Sequence, residues 1–352
     1  ITGSMGKTTT RHFTASLLGV GRNVLQSPGN LNNHIGLPLA LLQINEHHDV
    51  AVVELGMNHP GEISQLSSIC KPNGALVTNV APVHTEFFSS MSEVARAKGE
   101  ILDYLDPAGT FLYNADDRLV VGLRDQFGGK HISFGLGADA NYRVTDYQFK
   151  SLQEMEFTIQ GPDCQVQGNV PFVGNHFLYN IVAATAVALE SNLEPQAVQE
   201  TLSSLSPLPQ RGQILECDGI TIWDDSYNSN PKAMNSLLDT LKLVAGYRRK
   251  VIVLGDMLEL GLQSKKYHRQ VGGKAADSEV DYIFTVGPEA WHAGDEAAKT
   301  GFPENHIEHF DDSQGAAEVL RHFLQSGDLV LIKGSRGVQM EVITESLRGV
   351  RS

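Results

Sequence analysis

Ile1-Thr2-Gly3-Ser4-Met5-Gly6-Lys7-Thr8-Thr9-Thr10 opens the chain and decides how the rest is read. Two glycines, a lysine and a run of hydroxyls stand directly before an apolar-periodic segment, Arg11 to Leu18. That order predicts a tight loop feeding a helix N-terminus, where unpaired backbone N–H groups and the positive end of the helix dipole attract phosphate. Gly3 and Gly6 let the backbone turn and approach the anion. Ser4, Lys7, Thr8 and Thr9 surround it with donors, and the Thr8 hydroxyl suits a magnesium ion. The full G-x-x-x-x-G-K-[ST] pattern needs glycine where Ile1 stands, so the stretch has the tighter T-G-x-x-G-K-T-T form. Gly-Lys-Thr alone fits a turn that caps an ordinary helix equally well, and the rest of the chain must decide. Such a loop normally follows a buried strand, and Ile1 reads as the last residue of one. With no initiator Met, the expectation is a piece of a longer polypeptide.

A length of 352 residues favours two domains over one. The net charge of −14 argues against a nucleic-acid binder, which should carry a basic face. Cys70, Cys164 and Cys217 are unclustered and lack C-x-x-C spacing, which suits a reducing compartment and argues against a disulfide framework or a structural zinc site. No apolar run is long enough to span a membrane and no signal peptide is visible, so the expected location is cytoplasmic.

Val50 to Leu55 and Ala75 to Val80 are short apolar runs of the kind found in buried parallel strands. Ser90 with Glu93 forms a capping box before a helix to about Leu105. Thr110 to Tyr113 is a further strand, and Tyr142 to Val173 alternates as antiparallel strands do. An alanine-rich helix covers Asn180 to Glu190. Ser206-Pro207-Leu208-Pro209-Gln210 is the linker. Beyond it, strands at Ile220–Trp223, Val251–Leu254, Tyr282–Val286, Ile307–Phe310 and Leu329–Ile332 alternate with helices starting near Pro231, Ser264, Pro288, Ser313 and Val338. The fold class is α/β: a P-loop ATPase domain over 1–210 with a mostly parallel sheet, then a Rossmann-like α/β domain over 211–352.

Candidate chemistry gathers after the strands, on the edge where open α/β sheets bind ligands. Glu54 ends an apolar strand and near a P-loop would coordinate magnesium; otherwise it is a solvated strand end. Asn79 and His84 follow the next strand. His84 is one of thirteen histidines, and a neutral imidazole is an uncommon magnesium ligand. Lys98 is followed by Gly99, which costs a helix about 1 kcal/mol relative to alanine, so something must approach closely there. Asn180 offers the donor and acceptor that an adenine edge needs, or caps a helix. Arg211, just past the linker, suits a γ-phosphate. In Asp224-Asp225-Ser226-Tyr227-Asn228-Ser229-Asn230-Pro231 an aspartate suits ribose hydroxyls and Tyr227 suits stacking on a base. Gly255 to Gly261 and Lys333-Gly334-Ser335-Arg336-Gly337 also follow strands. Lys333 and Arg336 could hold a carboxylate or pair with local acids.

Together these stretches, with Pro28-Gly29-Asn30-Leu31-Asn32-Asn33, Glu54 to Ile63 and Lys98-Gly99-Glu100, resemble the Mur ligase family of ATP-dependent amide-bond ligases. The resemblance spans essentially the whole chain. It is tightest to the member that joins D-alanyl-D-alanine to a UDP-N-acetylmuramoyl-tripeptide through an acyl phosphate, in peptidoglycan precursor synthesis. It implies ATP and two magnesium ions. Lys7 and the loop amides would take the ATP phosphates, and Thr8 and Glu54 one magnesium. His84 would serve the second, and Lys98 would be carbamylated. Asn180 would contact adenine, Arg211 the γ-phosphate and Asp225 the ribose, with Lys7, Lys98, His84 and Arg211 as the catalytic set. Asn30, Asn32, Asn33, Lys333 and Arg336 would meet substrate. It also implies a uridine-binding N-terminal domain outside this chain. Phe177 stands where the family commonly has Asn. A related ligase such as a folylpolyglutamate synthase would share the ATP site. A non-catalytic nucleotide-binding subunit would keep the ATP site without turnover, and a P-loop switch or motor leaves the later motifs unexplained.

Overall fold

The computed structural model describes residues 1–82 and 88–349. Its contacts divide the chain into two compact units. The first holds 1–150, 154–171 and 175–206; the second holds 151–153, 172–174 and the chain from Pro207 onward. Among the described residues no helix is long and apolar enough to cross a membrane.

In the first unit α1 spans Lys7–Leu18, β1 Val24–Gln26, α2 Gly36–Leu41, β2 Val50–Val52, α3 Glu62–Cys70, β3 Gly74–Val77 and α4 Met91–Gly99. Then come β4 Thr110–Asn114, α5 Arg118–Val121, β5 Lys130–Gly135, β6 Tyr142–Ser151, β7 Glu154–Gln160, β8 Gln165–Val170, α6 Asn175–Glu190 and α7 Pro195–Leu202. The strand order is β3-β4-β5-β6-β7-β8, with β1-β2 as a separate parallel pair. Residues 1 and 2 lie between them: Leu55 N–H donates to Ile1 O, and Thr2 pairs in parallel with Val77. The β3-β4-β5 ladder is parallel and β7-β8 antiparallel, which separates a nucleotide-type half from a meander.

Helix α6 is apolar nearly all round, with Leu178, Ile181, Val182 and Ala183 to Ala186 buried, as suits a helix sunk in a core. It starts at Asn175, five residues before the sequence places it. It packs on α1, where the rings of Phe13 and Phe177 lie 6.3 Å apart. Phe177 is therefore a core residue that joins the two helices. The capping box forms in part: Ser90 Oγ accepts from Glu93 N–H at 3.2 Å, while the Glu93 carboxylate reaches Ser89 N–H instead of Ser90.

The second unit has β9 Gln213–Cys217, β10 Ile220–Asp224, α8 Pro231–Leu243, β11 Arg249–Gly255, α9 Ser264–Ala276 and β12 Tyr282–Val286. It continues with α10 Trp291–Lys299, β13 Ile307–Phe310, α11 Ser313–Phe323, β14 Asp328–Lys333 and α12 Glu341–Leu347. The order β13-β12-β11-β14-β10-β9 is parallel except for the β9-β10 hairpin. Strand β14, last in sequence, enters between β10 and β11. The strand order reverses there, and the C-terminal ends of these three strands deliver the motifs at 224–231, 255–261 and 333–337 to one crevice.

Helices α9 and α10 touch backbone to backbone at Gly272, where a Cβ would stand 2.0 Å from Ala293 O. Since that obstacle is main chain, it cannot rotate away. Gly272→Ala should therefore destabilise the second unit by about 1–3 kcal/mol, the usual range for overpacking. Urea unfolding read by a second-unit probe, Trp223 or Trp291, checks this. An unchanged midpoint counts against the close helix contact.

Candidate nucleotide site and the strand-end crevice

The loop before α1 is clamped from outside. Ser4 N–H donates to Asn79 O at 2.9 Å, and Met5 N–H donates to Asn79 Oδ1 at 3.0 Å. Asn79 Nδ2 and Thr78 Oγ1 both donate to Met5 O, at 3.2 and 2.6 Å. Ser4 Oγ donates to Ala81 O and accepts from Ala81 N–H, at 3.2 and 2.9 Å. The Ser4 hydroxyl, expected among the nucleotide ligands, thus anchors the loop. The anchored loop leaves α1 starting at Lys7 with Gly6 as its N-cap, left-handed at φ 78° and with no side chain capping it. A helix end of that kind presents N–H groups and positive potential together. A Cβ on Gly6 would lie 2.4 Å from Asn180 Oδ1, and one on Gly3 would lie 1.9 Å from Thr78 Oγ1.

Asn180 is buried on the second turn of α6, where its Oδ1 accepts from Thr10 Oγ1 at 3.1 Å. That engages the acceptor of its donor–acceptor pair. Its neighbour Tyr179 donates to Asp116 Oδ2 at 3.0 Å, and Asp116 also accepts from Leu136 and Gly137 N–H. The start of α6 is so fixed to the turn after β5.

Glu54 is 1 % exposed and faces the loop. Burial raises its pKa. The charge of Lys7, hydrogen bonding by Asn32 and Thr8, and the charge of Arg11 outweigh that and hold the carboxyl below its ordinary value. Asn32 Nδ2 donates to Glu54 Oε1 at 2.8 Å. Oε2 accepts no hydrogen bond and has Arg11 Nη1 at 4.0 Å. A buried carboxylate oxygen without a donor fits a cation ligand. Among the described residues no three His, Cys, Asp or Glu side chains cluster as a ready-made metal site. Thr9 is buried beside Thr8 on α1, and Lys7 Nζ donates back to Gly3 O at 2.9 Å.

Lys98 is 2 % exposed on α4. Burial, then the charge of Lys7, push its pKa well below that of an ordinary lysine. The close approach expected at Gly99 is by Leu123 and Gln126, within 2.9 Å of where its Cβ would be. His84 lies outside the described residues.

Two of the three loop asparagines expected to meet substrate are engaged inside the protein. Asn32 holds Glu54, and Asn33 Oδ1 accepts from Ile35 and Gly36 N–H at the start of α2. Asn30 is exposed. Sequence reasoning missed Arg11, 3 % exposed, which binds Ser27 Oγ and Gly29 O. Its place one turn past Lys7 on the same helix was the only signal available.

In the second unit, Lys333 is buried and pairs with Asp225 Oδ2, also donating to Asn228 O at 2.8 Å. Its charge orders the 224–230 loop, so of the two alternatives read for Lys333 the structure shows pairing with a local acid. Arg336 remains exposed. Arg211 lies over the Tyr227 ring, 3.8 Å from its centroid. The guanidinium covers a face of Tyr227 that was expected to stack on a base. Asp256 is also structural: it accepts from Ala290 N–H at 2.7 Å before α10, and Ser335 N–H donates to its carbonyl.

The Mur ligase middle domain matches residues 1–188 and the "Mur ligase, glutamate ligase domain" matches 210–336. The chain belongs to the Mur ligase family. Among Mur ligases, the UDP-N-acetylmuramoyl-tripeptide–D-alanyl-D-alanine ligase of Escherichia coli K12 is 35% identical over 353 residues, covering 99% of this chain and 76% of the relative. MurF from Acinetobacter baumannii superposes with a TM-score of 0.89 at 29% identity, over 99% of this chain and 75% of that one. MurF ligase from Thermotoga maritima in complex with ADP gives 0.88 at 27%, over 99% and 79%.

His268, behind the Mur ligase motif at 255–261, adds a pH dependence. It is 1 % exposed, and its Nε2 accepts from Met257 N–H at 2.9 Å. Nδ1 faces Ser264 O at 2.9 Å, which places the proton on Nδ1. Burial lowers its pKa against the opposing pull of Asp256 and Glu289. A histidine depressed in the folded state gives stability that is complete above its unfolded value, about 6.5, and is lost as pH falls through the folded one. The second unit should lose thermal stability from about pH 6.5 downward, and His268→Gln should flatten that slope. The same slope in both proteins would assign the effect to other groups.

Proposed function

We propose that this chain catalyses the ATP-dependent joining of D-alanyl-D-alanine to UDP-N-acetylmuramoyl-tripeptide, in the cytoplasm, as part of peptidoglycan precursor synthesis. What carries the proposal is the uncapped end of α1 facing a buried carboxylate with an unused oxygen, in a chain matched along nearly all its length by relatives of that name. A terminal carboxylate of the peptide attacks the γ-phosphorus of ATP, the bond to ADP breaks and an acyl phosphate forms. The dipeptide amine attacks the acyl carbon and loses a proton, and inorganic phosphate leaves. Both reactants of the first step are anionic, so the residues mainly neutralise charge and position.

Lys7 and the first-turn N–H groups of α1 serve the phosphates, with Arg211 on the γ-phosphate. Asn180 and Asp225 serve adenine and ribose, and Asn30, Asn32, Asn33, Lys333 and Arg336 meet substrate. Thr8 and Glu54 would hold one magnesium ion and His84 a second; magnesium supplies positive charge against the phosphates. Lys98 is uncharged more readily than an ordinary lysine, and a neutral amine can add carbon dioxide and lose a proton to become a carbamate. That exchange replaces a buried cation near Lys7 with an anion carrying oxygens that hard cations prefer.

ADP release should need the UDP-tripeptide and rise with D-alanyl-D-alanine but not with glutamate, the amine a folylpolyglutamate synthase-like ligase would use. Nucleotide binding without amine-dependent turnover would indicate a non-catalytic subunit instead.

Lys98→Met should abolish turnover yet raise the thermal midpoint of the protein in bicarbonate-free buffer. A lysine with a depressed folded pKa gives full stability only above about 10.5, and loses it as pH falls through the folded value. At neutral pH it is therefore a liability that methionine removes. Added bicarbonate should stabilise the parent and not the variant. Full activity in Lys98→Met would refute the role.

A further inference from the structure

We propose that Arg11 is a positioning residue that couples the 27–33 loop to the metal-binding carboxylate; this rests on the assignment of Glu54 as a cation ligand. Arg11 stands one helical turn after Lys7 on α1, 3 % exposed. One nitrogen, Nη1, donates to Ser27 Oγ and to Gly29 O, both at 3.0 Å, and lies 4.0 Å from Glu54 Oε2. Ser27 Oγ in turn accepts from Glu54 N–H at 3.4 Å. At the far end of the same loop, Asn32 donates to Glu54 Oε1, and Asn32 O accepts from Gly56 N–H at 2.8 Å.

The loop therefore grips Glu54 from both ends, and Arg11 holds the first end. The Asn32 grip is close-fitting, since a Cβ on Gly56 would lie 2.9 Å from the Asn32 side chain. Asn32 fixes Oε1 and leaves Oε2 as the oxygen able to take a cation, while Arg11 Nη1, 4.0 Å away, faces that oxygen without a hydrogen bond that would occupy it. A shift of the loop must move Ser27 and Asn32 together, and with them the aim of Oε2. The exposed Asn30 lies between these two grips, so a substrate touching the loop acts on the cation site through them. Arginine suits the task because the planar fork fixes the two N–H directions of Nη1, one toward the Ser27 hydroxyl and one toward the Gly29 carbonyl. A lysine ammonium carries the charge without the fork.

The experiment compares the parent protein with Arg11→Lys and Ser27→Ala. The second variant removes the bridging hydroxyl without leaving a buried charge unpaired. Binding of manganese in the presence of ADP is measured by electron paramagnetic resonance. Hydrogen exchange of residues 27–33 is followed with and without magnesium and ADP, and circular dichroism checks folding. Both variants should weaken manganese binding by about 10-fold or more, as loss of a residue supporting a metal ligand typically does. ADP affinity without metal should stay within about twofold. Magnesium with ADP should slow exchange of the loop in the parent and not in the variants. Parent-like metal affinity and parent-like slowing in folded Ser27→Ala and Arg11→Lys would overturn the coupling. Failure of the parent itself to bind manganese with ADP would instead overturn the assignment of Glu54.

Discussion

The structure of the first unit depends on one unfilled requirement, a helix end that no side chain caps. Helix α1 begins in the middle of the sheet's edge, and its first-turn N–H groups need an acceptor. In most helices a serine or aspartate at the N-cap meets that need. Here the N-cap is Gly6, in a conformation that favours glycine, and a side chain there would strike Asn180. The polar groups that could have capped the helix are committed elsewhere: Ser4 to Ala81, and Asn79 to Met5. The protein has built a rigid loop whose unmet need can be supplied only by something brought in, and the charges of Lys7, Arg11 and Glu54 are placed around it.

The second unit shows the same economy with the opposite sign. Inserting β14 between β10 and β11 puts Lys333, Asp225 and Asp256 at adjacent strand ends, where crowding of polar groups would be costly unless they met. They do: Lys333 pairs with Asp225, and Asp256 receives N–H groups from the segment before α10. Three motifs that look like separate ligand loops are one cross-braced crevice. Arg336 stays exposed beside it, and the Arg211–Tyr227 stack is partly so.

The parallel strands were legible because burial on both faces turns them into short apolar runs. Val251 to Leu254 and Leu329 to Ile332 announce themselves. Other pieces did not: β9 is a half-buried edge strand that mixes polar with apolar residues, β5 opens on Lys130-His131 before its buried part, and α7 reads as polar except for Val198 and Leu202. The site residues were legible where a glycine turn accompanied them. Their directions were not. Nothing in a linear pattern says that Asn33 turns back to α2, or that Lys333 finds Asp225 across 108 positions. Arg11 is the extreme case, since its burial is wholly tertiary and its helix looks ordinary.

These outcomes separate two ways in which a polar residue enters a conserved-looking motif. Some residues hold the loop: Ser4, Asn32, Asn33, Asn79, Lys333 and Asp256 each have partners that satisfy them inside the protein. Others are left with an electrostatic problem that the fold does not solve. Glu54 Oε2 is buried without a donor, the Lys98 side chain is buried near another lysine, and α1 ends without a cap. A sequence that only had to fold would remove each of these, with an amide, a methionine and an N-cap serine. All three lie in one unit and involve Lys7, as the first residue of α1, as the attracting charge for Glu54 and as the repelling charge for Lys98. Unsolved burial costs that concentrate around a single lysine are best explained by a ligand that solves them at once, and an anion with bound cations is the chemistry that would.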